Sequence, residues 1–195
     1  MTITELGNIT AANGLILTDA QLERLSTYAE LLCAKNHVVN LISRKDEENI
    51  LSKHILHSLT LVLPNVTLAG IPTGANVFDL GTGGGLPGIP IKIARPDLSI
   101  ILCDSIAKKI AAVTEMTNSM QLDSCQAITQ RGETLAQQKQ HRHRYDVVVT
   151  RAVAPLEELL RWSHGLLSKG GVLLSLKGGD LTEEIATARN FKLAK

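Results

Sequence analysis

The chain has 195 residues, 44% of them hydrophobic and 20% charged, and a formal net charge of +1. That length suits one domain with a small appendage, and the apolar content supports a sizeable core, which excludes a disordered chain. Apolar runs such as Val147–Val149 and Val172–Leu174 are too short to span a bilayer, and the first residues lack a basic-then-apolar leader pattern, so a cytosolic, non-membrane protein is expected.

In chain order, Thr18 and Gln21 have capping-box spacing, and Leu22, Leu25, Ala29 and Leu32 recur on one helical face, which predicts a helix over residues 19–35. A second helix is predicted from Asp46 to Leu63, with Ile50, Leu51, His54, Ile55, Ser58 and Leu59 near one face and Pro64 as its stop. No strand signal separates the two, so residues 1–74 read as an N-terminal helical cap. His54 and His57 stand at i and i+3, but no third ligand is evident; helix packing is expected there, and no metal. Cys33, Cys103 and Cys125 lack CxxC spacing, which argues against a zinc site or disulfide framework and for buried core thiols.

From Ala75 the texture changes. Strands are predicted at Asn76–Leu80, Ser99–Cys103, Cys125–Thr129, Asp146–Thr150 and Val172–Leu176, alternating with helices at Leu86–Ala94, Ala107–Met120, Leu156–Leu167 and Thr182–Arg189. This is the pattern of an α/β, Rossmann-like, doubly wound and mainly parallel sheet over residues 75–195. Its ligand belongs at the carboxyl ends of the strands, in the loops after Leu80, Cys103, Thr129 and Thr150.

The first of these loops carries Gly81, Gly83, Gly84, Gly85 and Gly88 directly after a strand containing Asp79. Glycines let a ligand press on bare backbone just ahead of a helix. Two cofactors compete for it. Residues 83–88 fit GxGxxG, the dinucleotide fingerprint, but Pro87 removes an amide where a pyrophosphate wants donors. The alternative register, Asp79-x-Gly81-x-Gly83-x-Gly85, resembles motif I of Rossmann-like methyltransferases that use S-adenosyl-L-methionine. There the first acid lies near the cofactor's amino-acid end, and a second acid ends the next strand to accept ribose hydroxyls. Asp104 occupies that second place.

Gly81-Thr-Gly-Gly-Gly-Leu-Pro-Gly-Ile-Pro90 resembles the signature of the GidB (RsmG) family, which methylates guanine N7 in bacterial 16S rRNA. Asn40–Ser43, His54–Ser58, Leu102–Ser105 with Lys108-Lys109, Arg131–Glu133, Thr150–Ala152 and Leu176–Gly178 follow in family order. The resemblance implies cofactor contacts at Gly81, Leu86, Asp104, Ser105, Ile106, Gly132, Glu133 and Arg151, with adenine near Ile106 and the Gly132–Glu133 turn. It implies 16S rRNA or the small ribosomal subunit as partner. His57 stands where the family usually has aspartate, and the chain stops at Lys195, before the last strands the family adds, which predicts an open sheet edge.

The residues themselves narrow the methyl acceptor. The loop after the fourth strand, Thr150–Pro155, lacks the Asn/Asp-Pro-Pro-aromatic turn of adenine amino-methyltransferases. No cysteine is predicted in a site loop, as a pyrimidine C5 enzyme requires. Guanine N7 needs neither device: its lone pair attacks the sulfonium methyl directly, and orientation alone can contribute roughly 7–11 kcal/mol. Arg151 is the expected reaction-centre residue, orienting O6 or holding a phosphate, unless it is paired with Glu157 or Glu158. Lys177, after the fifth strand, is a second candidate, for the RNA backbone. Between Arg131 and Arg151 five basic residues face only Glu133 and Asp146, a loop that reads equally as solvated or as phosphate-binding. Aromatics are 3% of the chain, so a pure base-stacking RNA-binding module is disfavoured. Three readings stay open on the residues: an rRNA guanine-N7 methyltransferase, a methyltransferase of a small molecule or protein, and a nicotinamide-dependent oxidoreductase.

Overall fold

The computed structural model describes residues 1–67 and 70–189, with the side chain of Glu133 outside the described set. Five strands, β1 (Asn76–Leu80), β2 (Ser99–Asp104), β3 (Cys125–Thr129), β4 (Tyr145–Arg151) and β5 (Leu167–Leu176), form one all-parallel sheet in the order β3-β2-β1-β4-β5. Parallel neighbours need crossovers. These are α4 (Gly88–Ala94), α5 (Ala107–Ser119), the short α6 (Gly132–Leu135) and α7 (Leu156–His164), with α8 (Thr182–Arg189) after β5. The register levels the strand ends: Leu80 lies opposite Cys103 on one side and Thr150 on the other. Chain order reverses at the β1–β4 boundary, where the buried Thr150 hydroxyl donates to the Leu80 carbonyl at 3.0 Å. A ligand crevice belongs at this switch point.

Alternation along the central strands sends successive side chains to opposite faces. Val77, Val147 and Val149 join one buried cluster, whereas Phe78, Tyr145 and Val148 join another beneath α6 and α7. The first cluster also holds Leu6, Leu25, Tyr28, Leu32, Ile55 and Leu59, so the N-terminal helices and the sheet share one core. Both faces are covered, which is why the strands read as near-continuous apolar runs.

Helix α2 (Asp19–Asn36) carries the expected capping box, with Thr18 bonded to the Gln21 amide. Helix α1 (Ile3–Ala12) was not expected: its fully buried side chains are only Leu6 and Thr10, although Thr2 and Glu5 form a reciprocal capping box. The single helix predicted over 46–63 is instead a chain of tight and wide turns: 3-10 at Arg44–Asn49, π at Ile50–Leu56, then α3 (His57–Leu59) and 3-10 at Thr60–Val62. Periodicity reports which face is buried, and the span of each hydrogen bond was decided by tertiary contacts. Strand β5 starts at Leu167, so the helix predicted to reach that residue ends at His164. Among the described residues β5 pairs only with β4, and its side chains are half-buried. No helix of the described residues is long and apolar enough to cross a membrane.

Candidate active site

The glycine loop is built from the inside. Gly81 (φ +75°) and Thr82 donate their amides to the Cys103 carbonyl at 2.9 and 2.8 Å, which turns the chain back over β2. Gly85 has φ +97°, and a Cβ there would lie 2.3 Å from Ile89 Cδ1, so no other residue fits without displacement. Leu86 and Gly85 donate to the Thr82 carbonyl, Gly88 to Asp79 Oδ2 at 2.8 Å, and Gly83 to Asp104 Oδ2 at 3.0 Å. The amides of Gly81, Thr82, Gly83, Gly85, Leu86 and Gly88 are thus spent inside the fold, and Pro87 has none. A pyrophosphate would find few donors here, which removes the basis of the dinucleotide reading. The N-terminal helices brace the loop: Tyr28 donates its hydroxyl to the Gly84 carbonyl at 2.9 Å, and Leu32 and Leu41 press on Gly84.

Above the loop lies a cavity of about 460 Å³, within the range of small-molecule sites. Gly81, Gly83, Leu86, Asp104, Ser105, Gly132 and Arg151 all line it. Asp104 ends β2, and its carboxylate accepts the Gly83 amide on one oxygen and the Ile106 amide on the other, at 3.0 and 2.9 Å. Each oxygen keeps a further lone pair for a hydroxyl. This fixed acceptor beside a bare glycine cradle fits a ribose-bearing, cationic ligand such as S-adenosyl-L-methionine.

Three expectations are corrected. Asp79 does not reach the cavity. It is fully buried on the face covered by α4, and its Oδ2 accepts from Thr82 Oγ1 (2.6 Å) and the Gly88 amide, while Oδ1 has no partner. Burial raises its carboxyl to about 7, against the opposing pull of those two donors. Asp79 therefore stitches the loop rather than meeting a ligand's cationic end. Lys177 is likewise occupied: its ammonium donates to the Ala154 carbonyl at 2.8 Å and pairs with Glu184, which ties α7 and α8 to the sheet outside the cavity. Ile106 stands outside the lining, its amide spent on Asp104 and its side chain exposed. Arg144, in the basic stretch that reads equally as solvated or as phosphate-binding, lies at the amino end of the sheet and not at the cavity. A parallel crossover returns to the amino end of β4, and Arg144 shares a cavity with Asn76, Ser99 and Cys125 at the strand starts. The seven residues of β4 separate this edge from Arg151 by about 20 Å.

Arg151 closes β4 and faces the cavity, but not in the ion pair with Glu157 or Glu158 that was the alternative. Its Nη1 donates to His54 Nδ1 at 2.8 Å and to the Lys53 carbonyl at 3.4 Å, and Glu157 pairs with Arg161. Burial lowers the Arg151 pKa, opposed by Tyr28, Asp79 and Asp46, and the group stays a cation. The expectation that no cysteine stands at the site is also corrected, because the end of β2 brings Cys103 to the cavity, where Lys109 and Trp162 stand unpredicted. The Cys103 thiol donates to the Gln130 carbonyl at 3.3 Å. Trp162 is the chain's one tryptophan, and nothing in helix α7's periodicity distinguishes a cavity wall from a core position. The Glu133 side chain falls outside the described residues.

A parallel Rossmann-like sheet with a glycine loop, a β2-terminal acid and a crevice at the switch point defines the class of S-adenosyl-L-methionine-dependent methyltransferases. The fold is shared with a predicted O-methyltransferase from Agrobacterium tumefaciens (TM-score 0.55, 14% identity, covering 70% of this chain and 67% of that one). The YcgJ protein of Bacillus subtilis shares it too (TM-score 0.50, 17% identity, covering 61% of this chain and 49% of that one). The family profile of GidB, rRNA small subunit methyltransferase G, matches residues 21–194. The Ribosomal RNA small subunit methyltransferase G of Chlorobium luteolum is 42% identical over 94% of this chain and 73% of its own length. That of Chlorobaculum tepidum is 44% identical over 90% of this chain and 77% of its own. The chain belongs to the GidB family.

Proposed function

We propose that this chain transfers a methyl group from S-adenosyl-L-methionine to N7 of a guanine in bacterial 16S rRNA. The observation that carries the acceptor is the cavity itself: among the described residues lining it there is a half-buried guanidinium, at Arg151, and no imidazole or free carboxylate placed to take a proton. Asp104 holds two amides and gives its remaining lone pairs to the cofactor's hydroxyls, and the Cys103 thiol is buried against a carbonyl. Guanine N7 has a lone pair and no proton, so its methylation asks for orientation and charge placement rather than a base. When bound, S-adenosyl-L-methionine supplies the electrophilic methyl on its sulfonium. Asp104 accepts the ribose hydroxyls, Gly81 and Gly83 allow close backbone approach, and Leu86, Ser105 and the Gly132–Glu133 turn flank the cofactor. Arg151 orients the guanine through O6 or an adjoining phosphate.

In this reading residues 1–74 act as a helical cap that braces the loop, and residues 75–195 are the transfer core. The substrate, as free RNA or within the small subunit, is met in the cytoplasm. The test is methyl transfer from labelled cofactor to unmodified small-subunit RNA and to intact small subunits, followed by nucleoside analysis. 7-Methylguanosine is expected. A different methylated nucleoside, or label in protein or small molecules alone, would overturn the proposal.

A further inference from the structure

Arginine has five donors and no acceptor, so something must hold its fork at a set angle. At Arg151 that partner is a neutral ring. Since the guanidinium can only donate, His54 Nδ1 must be unprotonated, and the ring proton sits on Nε2. His54 is 8% exposed, and burial and the Arg151 charge push its pKa down to about 4, against the pull of Asp46. His57 and Lys53, its other charged neighbours, act in the same direction as Arg151. Nε2 is buried without a hydrogen-bond partner, with Asp46 Oδ2 facing it at 4.0 Å. Asp46 itself is bound by Lys53. The histidine lies in the π turn Ile50–Leu56, whose Lys53 carbonyl also accepts from Arg151. Wide turns of this kind are uncommon and gather at functional sites.

A carboxylate in the place of His54 would hold the guanidinium equally well and cancel its charge. An imidazole holds it and cancels nothing. Among the described residues Arg151 makes no direct ion pair, and Asp46 and Asp79 act on it only from a distance, so its charge is directed at the cavity. We propose that His54 is a positioning residue: it aims Arg151 from the N-terminal cap while leaving the guanidinium charge uncompensated for the reacting groups. This rests on the role given to Arg151 above.

Three replacements in the full chain separate the effects. Asn in H54N offers a neutral acceptor close to the position of Nδ1, Asp in H54D offers a charged one, and Ala in H54A offers none. Saturated methylation rates on unmodified small-subunit RNA should be within about threefold of wild type for H54N and down about tenfold or more for H54A and H54D. Equal rates for H54N and H54D would overturn the charge argument. R151A fixes which premise fails: a wild-type rate there overturns the role of Arg151 and this proposal together. An inactive R151A beside three unaffected His54 variants overturns only this one. Should H54D fail to fold, nitrogen-15 spectra of the wild-type chain decide instead. His54 is expected as the Nε2–H tautomer near neutral pH, and a protonated Nδ1 would refute the arrangement.

Discussion

Asp79→Asn tests whether the acid in the first strand holds the loop or the cofactor. The buried Asp79 carboxyl is raised to about 7 by burial, from an ordinary value of 3.8. Between those pH values the folded chain keeps a proton that the unfolded chain has released. Stability from this group therefore falls as pH climbs from about 4 to about 7 and is level above. About three pH units at roughly 1.36 kcal/mol each set an upper scale near 4 kcal/mol. Asparagine removes the titration, yet its carbonyl can still accept from Thr82 and Gly88. Urea melts of the two chains from about pH 4 to 8 give the difference in unfolding free energy with the other titrating groups cancelled. The variant should gain on wild type as pH rises and stop gaining above about 7. S-adenosylhomocysteine affinity, measured by calorimetry, should change by no more than a few-fold. A difference that is flat across the range, or a large affinity loss with unchanged stability, would refute the reasoning.

Asp104→Ala should weaken S-adenosylhomocysteine by roughly 1–3 kcal/mol in the same calorimeter, because hydroxyls lose a charged acceptor, and should leave RNA affinity in filter binding nearly unchanged. Gly85→Ala combines a positive φ with the Ile89 clash and should cost about 1–3 kcal/mol in chemical denaturation; a stability equal to wild type would mean the loop is looser than its hydrogen bonds indicate. Lys177→Ala should lower the melting temperature by freeing Ala154 and Glu184, with the saturated methylation rate preserved; the reverse pattern would restore Lys177 to the site. Neutralising Lys139, Arg142 and Arg144 together should leave the salt dependence of RNA binding unchanged, whereas Lys109→Ala, at the cavity wall, should lower its slope by roughly 0.7–0.9 if that residue meets a phosphate.

Much of the fold was legible because strand and helix periods are local. The runs at 76–80 and 99–103 read as strands from apolar content, 125–129 from its place in the alternation, and that alternation with helices required a parallel sheet and a site at its carboxyl edge. The glycines from Gly81 to Gly88 and the acid at Asp104 could be assigned to that edge from spacing. Spacing could not decide direction. Asp79 and Leu80 are neighbours in sequence, but the pleat sends Asp79 beneath α4 and leaves Leu80 at the cavity. Lys177 follows a strand just as Arg151 does, and only the packing of α8 puts Glu184 against it. Arg144 is close to Arg151 in sequence and a strand's length away in space. His54, read from its period as a packing residue, meets Arg151 across 97 positions. Periodicity records which side chains leave water, because burial is a property of one face of one element. Which buried group meets which depends on how separate elements stack, and for Asp79, Lys177 and His54 only the tertiary structure decided it.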